Sequence, residues 1–200
     1  MVDKSGSMQG AIDRAKQYLS QFLQGFPLDK IHVSTFNTHG KVINIKHKSA
    51  AGVEQAFRGE RDGGGTVYAQ GVSVLAQFKP QPNEDVLFIF IGDQADSQPH
   101  FAPTVERSGL RPTAFGLIEV VGTWGSRGNS VEVTAARLGI PCFRIDEKTF
   151  DDPYSVTRTI RNLIESTPVS EGVVGRTEVH RESLVEKILK TDLLKKPAWA

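Results

Sequence analysis

The chain has little with which to cross-link or anchor itself. Its 200 residues include one cysteine, Cys142, so no intrachain disulfide can form, and this usage fits a reducing compartment. Cys142 lies in the apolar run Ile140-Pro141-Cys142-Phe143 with no histidine near it in sequence, and reads as a core residue rather than a nucleophile. Long hydrophobic runs are also missing. The longest, Val86 to Ile91, is far shorter than the roughly 20 residues that span a bilayer. Charge of one sign is scarce: a net charge of +1, with acids and bases interspersed, gives no footprint for nucleic acid or an anionic membrane. Small polar residues rather than an apolar segment follow Lys4, so no secretory leader is expected and the expected location is cytoplasmic. Repeats and low-complexity tracts are absent.

Several catalytic signatures are absent too. His32, His39, His47, His100 and His180 are scattered without metal-ligand spacing. There is no Gly-x-Ser-x-Gly elbow, and no Gly-Lys-Ser/Thr follows a glycine loop. An aspartyl-phosphate enzyme would want a second acid two residues after Asp3, and Ser5 stands there.

What is present is an alternation of strand and helix patterns, in a length that suffices for one full core and a tail. Apolar residues at helical spacing predict a helix over Gln9 to Phe26, ended by Gly25 and Pro27, with Ser7 as its N-cap. Ile31 to Phe36 and Lys41 to Ile45, joined by Asn37-Thr38-His39-Gly40, predict an antiparallel hairpin. A short helix follows around Ser49 to Phe57, then the glycine-rich loop Gly59 to Thr66 and a helix over Val67 to Phe78. Val86 to Ile91 reads as a strand buried on both faces and therefore central. Helix Pro103 to Gly109, strand Thr113 to Val121, helix Ser130 to Leu138, strand Cys142 to Ile145 and helix Pro153 to Ser166 complete the series. The pattern predicts an α/β fold: a doubly wound, mostly parallel sheet of six strands with one antiparallel edge strand and helices on both faces.

The domain is expected over residues 1–166, followed by a Pro, Ser, Val and Gly-rich linker at 167–178. Leu184, Val185, Ile188, Leu189 and Leu193 then mark an amphipathic helical extension within 179–200. That helix either docks back on the domain or packs on another domain or a second copy.

The chemistry is concentrated at one edge of such a sheet. Asp3, Ser5 and Ser7 place a carboxylate and two hydroxyls at i, i+2 and i+4 of a strand-to-helix turn. These are hard oxygen ligands of the kind that suit Mg²⁺ or Mn²⁺. Thr66, after Gly63-Gly64-Gly65, and Asp93, at the exit of the central strand, fall on the same edge. Asp96 is expected in solvent or behind the ligands. A cation held largely by neutral hydroxyls stays electrophilic and can accept an Asp or Glu carboxylate from a partner protein. Trp124, flanked by glycines in the loop Gly122 to Gly128, is either a local core plug or an exposed anchor for a partner.

In order and approximate spacing these residues resemble the metal-ion-dependent adhesion site (MIDAS) of the von Willebrand factor A (vWA) domains, over roughly residues 1 to 166. The resemblance implies a Rossmann-like sheet in the order 3-2-1-4-5-6, a bound Mg²⁺ or Mn²⁺, and metal-dependent protein binding without catalysis. Two features depart from the family. The segment after the central strand reads Gly92-Asp93-Gln94-Ala95-Asp96, where the family often has Asp-Gly. Only Met1 and Val2 precede the first aspartate, where the family has several apolar residues. The expectation is therefore either a piece of a longer protein or an unusually short first strand. A second reading makes the chain the C-terminal vWA part of a larger Ro-like ribonucleoprotein, a chelatase or a stress-response assembly, with RNA bound only indirectly. A third, a hydrolase acting through the metal and Asp93, ranks last.

Overall fold

Strand pairing begins with an element too short to show any periodicity. In the computed structural model, which describes residues 1–9, 12–82, 84–96, 100–121 and 127–166, strand β1 is Val2–Asp3. Backbone bonds extend its pairing on both sides. The Met1 amino group donates to the Ile89 carbonyl at 2.7 Å, Ile91 N–H to the Met1 carbonyl at 2.9 Å, and Lys4 N–H to the Phe36 carbonyl at 2.8 Å.

Around β1 stand β2 (Val33–Phe36), β3 (Gly40–Ile43), β4 (Val86–Gly92), β5 (Pro112–Glu119) and β6 (Cys142–Ile145). The sheet order is β3-β2-β1-β4-β5-β6, as the resemblance implies. Every pair is parallel except β2 with β3, which is the predicted hairpin. The predicted Rossmann-like architecture is the observed one.

Period-two alternation sends the strand side chains into two cores. Phe88, Phe90, Phe115 and Leu117 of β4 and β5 meet Tyr68, Val72, Phe101, Val105 and Val131 from α3 (Tyr68–Leu75), α4 (Phe101–Ser108) and α5 (Ser130–Leu138). On the other face, Ile91 and Ile118 pack with Leu19, Phe22, Val53, Ile160 and Leu163 from α1 (Ile12–Leu23), α2 (Ala50–Ala56) and α6 (Pro153–Ser166). Each such fully buried side chain contributes about 1.5–3 kcal/mol. The aromatic side is tightly interlocked: the Phe90 ring centroid is 5.2 Å from Phe115, 5.4 Å from Phe101 and 5.8 Å from Tyr68.

Element ends differ modestly from expectation. Helix α1 stops at Leu23 rather than Phe26, and a separate 3₁₀ turn, Gly6–Met8, occupies the stretch where Ser7 was expected to cap it. Helix α3 starts at Tyr68, with Val67 flanking it, and ends at Leu75 rather than Phe78, and α4 starts at Phe101 and closes on Gly109 with φ of 70°. Trp124, the linker 167–178 and the helix of 179–200 lie outside the described residues.

Candidate metal centre

The register of the sheet sets Asp3 beside the end of β4. Val2 pairs with Ile91, so Asp3 stands next to Gly92 and Asp93 follows at the exit of β4, on the carboxyl edge. Both carboxylates are fully buried. Each folds into the same local turn: Asp3 Oδ1 accepts Ser5 N–H at 2.7 Å, and Asp93 Oδ1 accepts Ala95 N–H at 3.0 Å.

The turn after Asp3 then brings the hydroxyls together. Ser5 and Ser7 lie 3.0 Å apart at Oγ, with Ser5 buried and Ser7 partly buried. The glycine loop is laced to this turn, since Gly63 N–H donates to the Lys4 carbonyl and Gly6 N–H to the Gly64 carbonyl, both at 2.9 Å. Thr66, two residues on, is buried. Asp96 Oδ2 accepts the Tyr68 N–H at 3.3 Å, at the first residue of α3, and so belongs to the same edge rather than to open solvent. Asp3 at the end of β1, Ser5 and Ser7 in the turn that follows it, and Thr66, Asp93 and Asp96 in loops thus share one end of the sheet.

The electrostatics of this arrangement are unbalanced. Burial pushes the Asp3 carboxyl up to about 7; hydrogen bonds from Ser5 oppose the rise, and the charges of Asp93 and Asp96 add to it. Its second oxygen, Oδ2, is buried with no hydrogen-bond partner among the described residues. Lys4, next in sequence, does not compensate: its ammonium bonds Glu60 Oε2 at 2.7 Å. A buried carboxylate oxygen without a donor needs an account, and a bound ion is one of the few available. Two carboxylates and three hydroxyls form a hard oxygen set that fits a small divalent cation. Among the described residues no three His, Cys, Asp or Glu side chains cluster as a metal site by themselves, so a site here needs the hydroxyls.

Two residues that carry no motif complete the surroundings. Tyr68 is fully buried and its hydroxyl accepts Gln94 N–H at 2.9 Å. Burial, then the charges of Asp3 and Asp93, push that hydroxyl well above the usual tyrosine range. Gln94, also fully buried, sits at φ of 60°, a region that favours glycine. Only the departure from Asp-Gly signalled position 94 in the sequence, and nothing signalled Tyr68. Elsewhere, Cys142 is half-buried with its thiol pushed up to about 11 by burial, which suppresses the thiolate. His32 stacks on Phe78 at 4.1 Å between ring centroids.

No curated protein matches the sequence significantly. Among solved structures, an aerotolerance-related membrane protein from Bacteroides fragilis, carrying multiple mutations to serines, matches with a TM-score of 0.61 at 15% identity, covering 82% of this chain and 96% of that one. BatB, a conserved hypothetical protein from Bacteroides thetaiotaomicron, gives a TM-score of 0.61 at 13% identity, with coverages of 82% and 97%. A von Willebrand factor type A structure from Catenulispora acidiphila gives 0.53 at 17% identity, covering 80% of this chain and 40% of that one. At these identities the likeness is one of fold. Residues 1–94, which include Asp3, Ser5, Ser7, Thr66 and Asp93, match the family model of the von Willebrand factor type A domain.

Proposed function

We propose that the chain is a non-catalytic, divalent-metal-dependent protein-binding module that recognises an Asp or Glu side chain of its partner. Asp3, Ser5, Ser7, Thr66 and Asp93 would hold Mg²⁺ or Mn²⁺. The observation that carries this reading is the buried Oδ2 of Asp3, without a hydrogen-bond partner among the described residues and set among the charges of Asp93 and Asp96 with Lys4 engaged elsewhere. A bound cation would supply the missing positive charge and an exchangeable position for an incoming carboxylate. The chain's own groups orient that position: two Asx turns hold the carboxylates, and a mutual hydrogen bond pairs the Ser5 and Ser7 hydroxyls. The family match over residues 1–94 supports a protein-interaction role.

The same geometry argues against covalent catalysis. The Ser5 hydroxyl pairs with Ser7, which cannot serve it as a general base. Contact with RNA is expected only through a larger assembly, and the proposed location is cytoplasmic, a reading the single cysteine supports.

Affinity capture from cell extract, in Mg²⁺ and in chelator, tests the proposal when run beside the Asp93→Ala variant. Partners held by the wild type in Mg²⁺ and released by both chelator and the substitution support it. Retention that ignores both manipulations contradicts it.

A further inference from the structure

We propose that Gln94 is a positioning residue of the metal centre, holding the Asp93 turn in place through Glu132 and Arg144. The inference rests on the metal-binding reading above. Asp93 leaves β4 directly into a residue whose backbone lies in the left-handed region, at φ of 60°. A side chain there is disfavoured unless its surroundings fix it. Gln94 is fixed on every side. Its N–H donates to the Tyr68 hydroxyl at 2.9 Å, and its carbonyl accepts from Asp96 N–H at 3.0 Å and Ser130 N–H at 3.4 Å. Its fully buried carboxamide bridges one residue of α5: Oε1 accepts Glu132 N–H and Nε2 donates to Glu132 Oε2, each at 3.4 Å.

Glu132 is in turn immobilised from outside. Arg144 of β6 grips it bidentately, Nε to Oε1 and Nη2 to Oε2, both at 2.7 Å, and reaches Glu119 of β5 with Nη1 at 2.9 Å. Such a two-point guanidinium–carboxylate contact fixes orientation as well as distance. The Asp93 turn is therefore fastened to α5, and through it to β5 and β6, by a side chain that sequence position alone would assign to a loop. Groups that orient metal ligands from behind typically govern affinity by about 10–100-fold when removed.

Calorimetric titration of Mg²⁺ into the full chain tests this, with melting temperature in chelator recorded for each protein. Gln94→Gly suits the left-handed backbone and removes the buried carboxamide together with its two bonds to Glu132. It is expected to leave the chelator melting temperature within a few degrees and weaken Mg²⁺ binding about tenfold. Glu132→Ala removes the outer anchor without touching the turn and is expected to weaken binding at least threefold. Glu132→Gln, which keeps one oxygen acceptor but loses the second point of the Arg144 grip, is expected to fall between the wild type and Glu132→Ala, and the Gln94→Gly/Glu132→Ala double variant to bind no more weakly than Gln94→Gly. A purely structural role would lower the melting temperatures and leave Mg²⁺ affinity unchanged. Wild-type affinity within twofold in both single variants overturns the inference while the metal reading stands. Absence of Mg²⁺ binding by the wild type overturns both.

Discussion

Asp3 and Gly92 face each other so closely that a Cβ at position 92 would lie 2.7 Å from the Asp3 Cβ and 3.2 Å from its Oδ2. The same Cβ would stand 2.7 Å from the Tyr68 hydroxyl oxygen. Only glycine fits between the carboxylate and the tyrosine, so the packing of β1 on β4 and the placement of Asp3 share one requirement. Gly92→Ala is expected to cost about 1–3 kcal/mol in urea denaturation and to weaken Mg²⁺ binding. A variant as stable as the wild type would show that the strand ends separate freely.

Position 128 makes a comparable demand on the Asp93 turn. Gly128 N–H donates to the Asp93 carbonyl at 2.8 Å, and a Cβ there would fall 2.0 Å from the Gln94 carbonyl oxygen. Because the obstacle is backbone, Gly128→Ala is expected to displace the turn and weaken Mg²⁺ binding about tenfold or more. Titration calorimetry reads this directly, and unchanged affinity would contradict it.

The Asp3 carboxyl, pushed up to about 7 by burial and by Asp93 and Asp96, sets a pH dependence for the metal-free protein. The folded state holds this proton more tightly than the unfolded chain does. Its contribution is fully present below the ordinary value of 3.8 and is lost as pH rises to about 7. The total is on the order of 4 kcal/mol. Asp3→Asn cannot ionise, so in chelator its stability relative to the wild type should rise across that window and level off above it. Urea denaturation at several pH values checks this. A stability difference independent of pH would refute the assignment.

Glu60 works in the opposite direction. Burial alone would raise its carboxyl, but hydrogen bonds from Lys4 and Lys41 outweigh burial and hold it below the usual range. Its side chain is 3% exposed and also accepts from the Thr35 hydroxyl at 3.2 Å. Its contribution is therefore present above the ordinary value of 4.5 and is lost as pH falls through the lowered one. Glu60→Gln is expected to cost about 1–2 kcal/mol near neutrality, reduced by the exposure of Lys41. Denaturation curves of the two proteins should converge in acid, and a constant gap would count against the ion-pair account.

Elements with periodicity were legible in the chain. The apolar run Val86 to Ile91 announces a central strand, and the Asn37-Thr38-His39-Gly40 turn announces the antiparallel pair β2–β3. Strand β1 was legible only through the turn that follows it, since two residues before an aspartate carry no pattern of their own; the strand is as short as the sequence allowed, and the pairings of Val2 with Thr35 and Ile91 place it. The oxygen-bearing residues of the site could be read because they cluster at turns beside glycine. Tyr68 and Gln94 could not, since their roles depend on contacts across 26 and 38 residues of chain, with each other and with Glu132. A tyrosine opening an amphipathic helix reads as core, and Tyr68 is indeed core on its ring face. Its hydroxyl becomes informative only when β4 is laid beside it.

The most direct test of the metal centre is a Mg²⁺ titration of the wild-type chain beside Asp3→Ala and Thr66→Ala, followed by calorimetry at neutral pH. Asp3 comes from β1 and Thr66 from the far side of the glycine loop, so a shared ion predicts that both substitutions weaken Mg²⁺ binding. The account predicts saturable one-to-one binding by the wild type and at least a tenfold loss in each variant. Equal binding by all three proteins would contradict it.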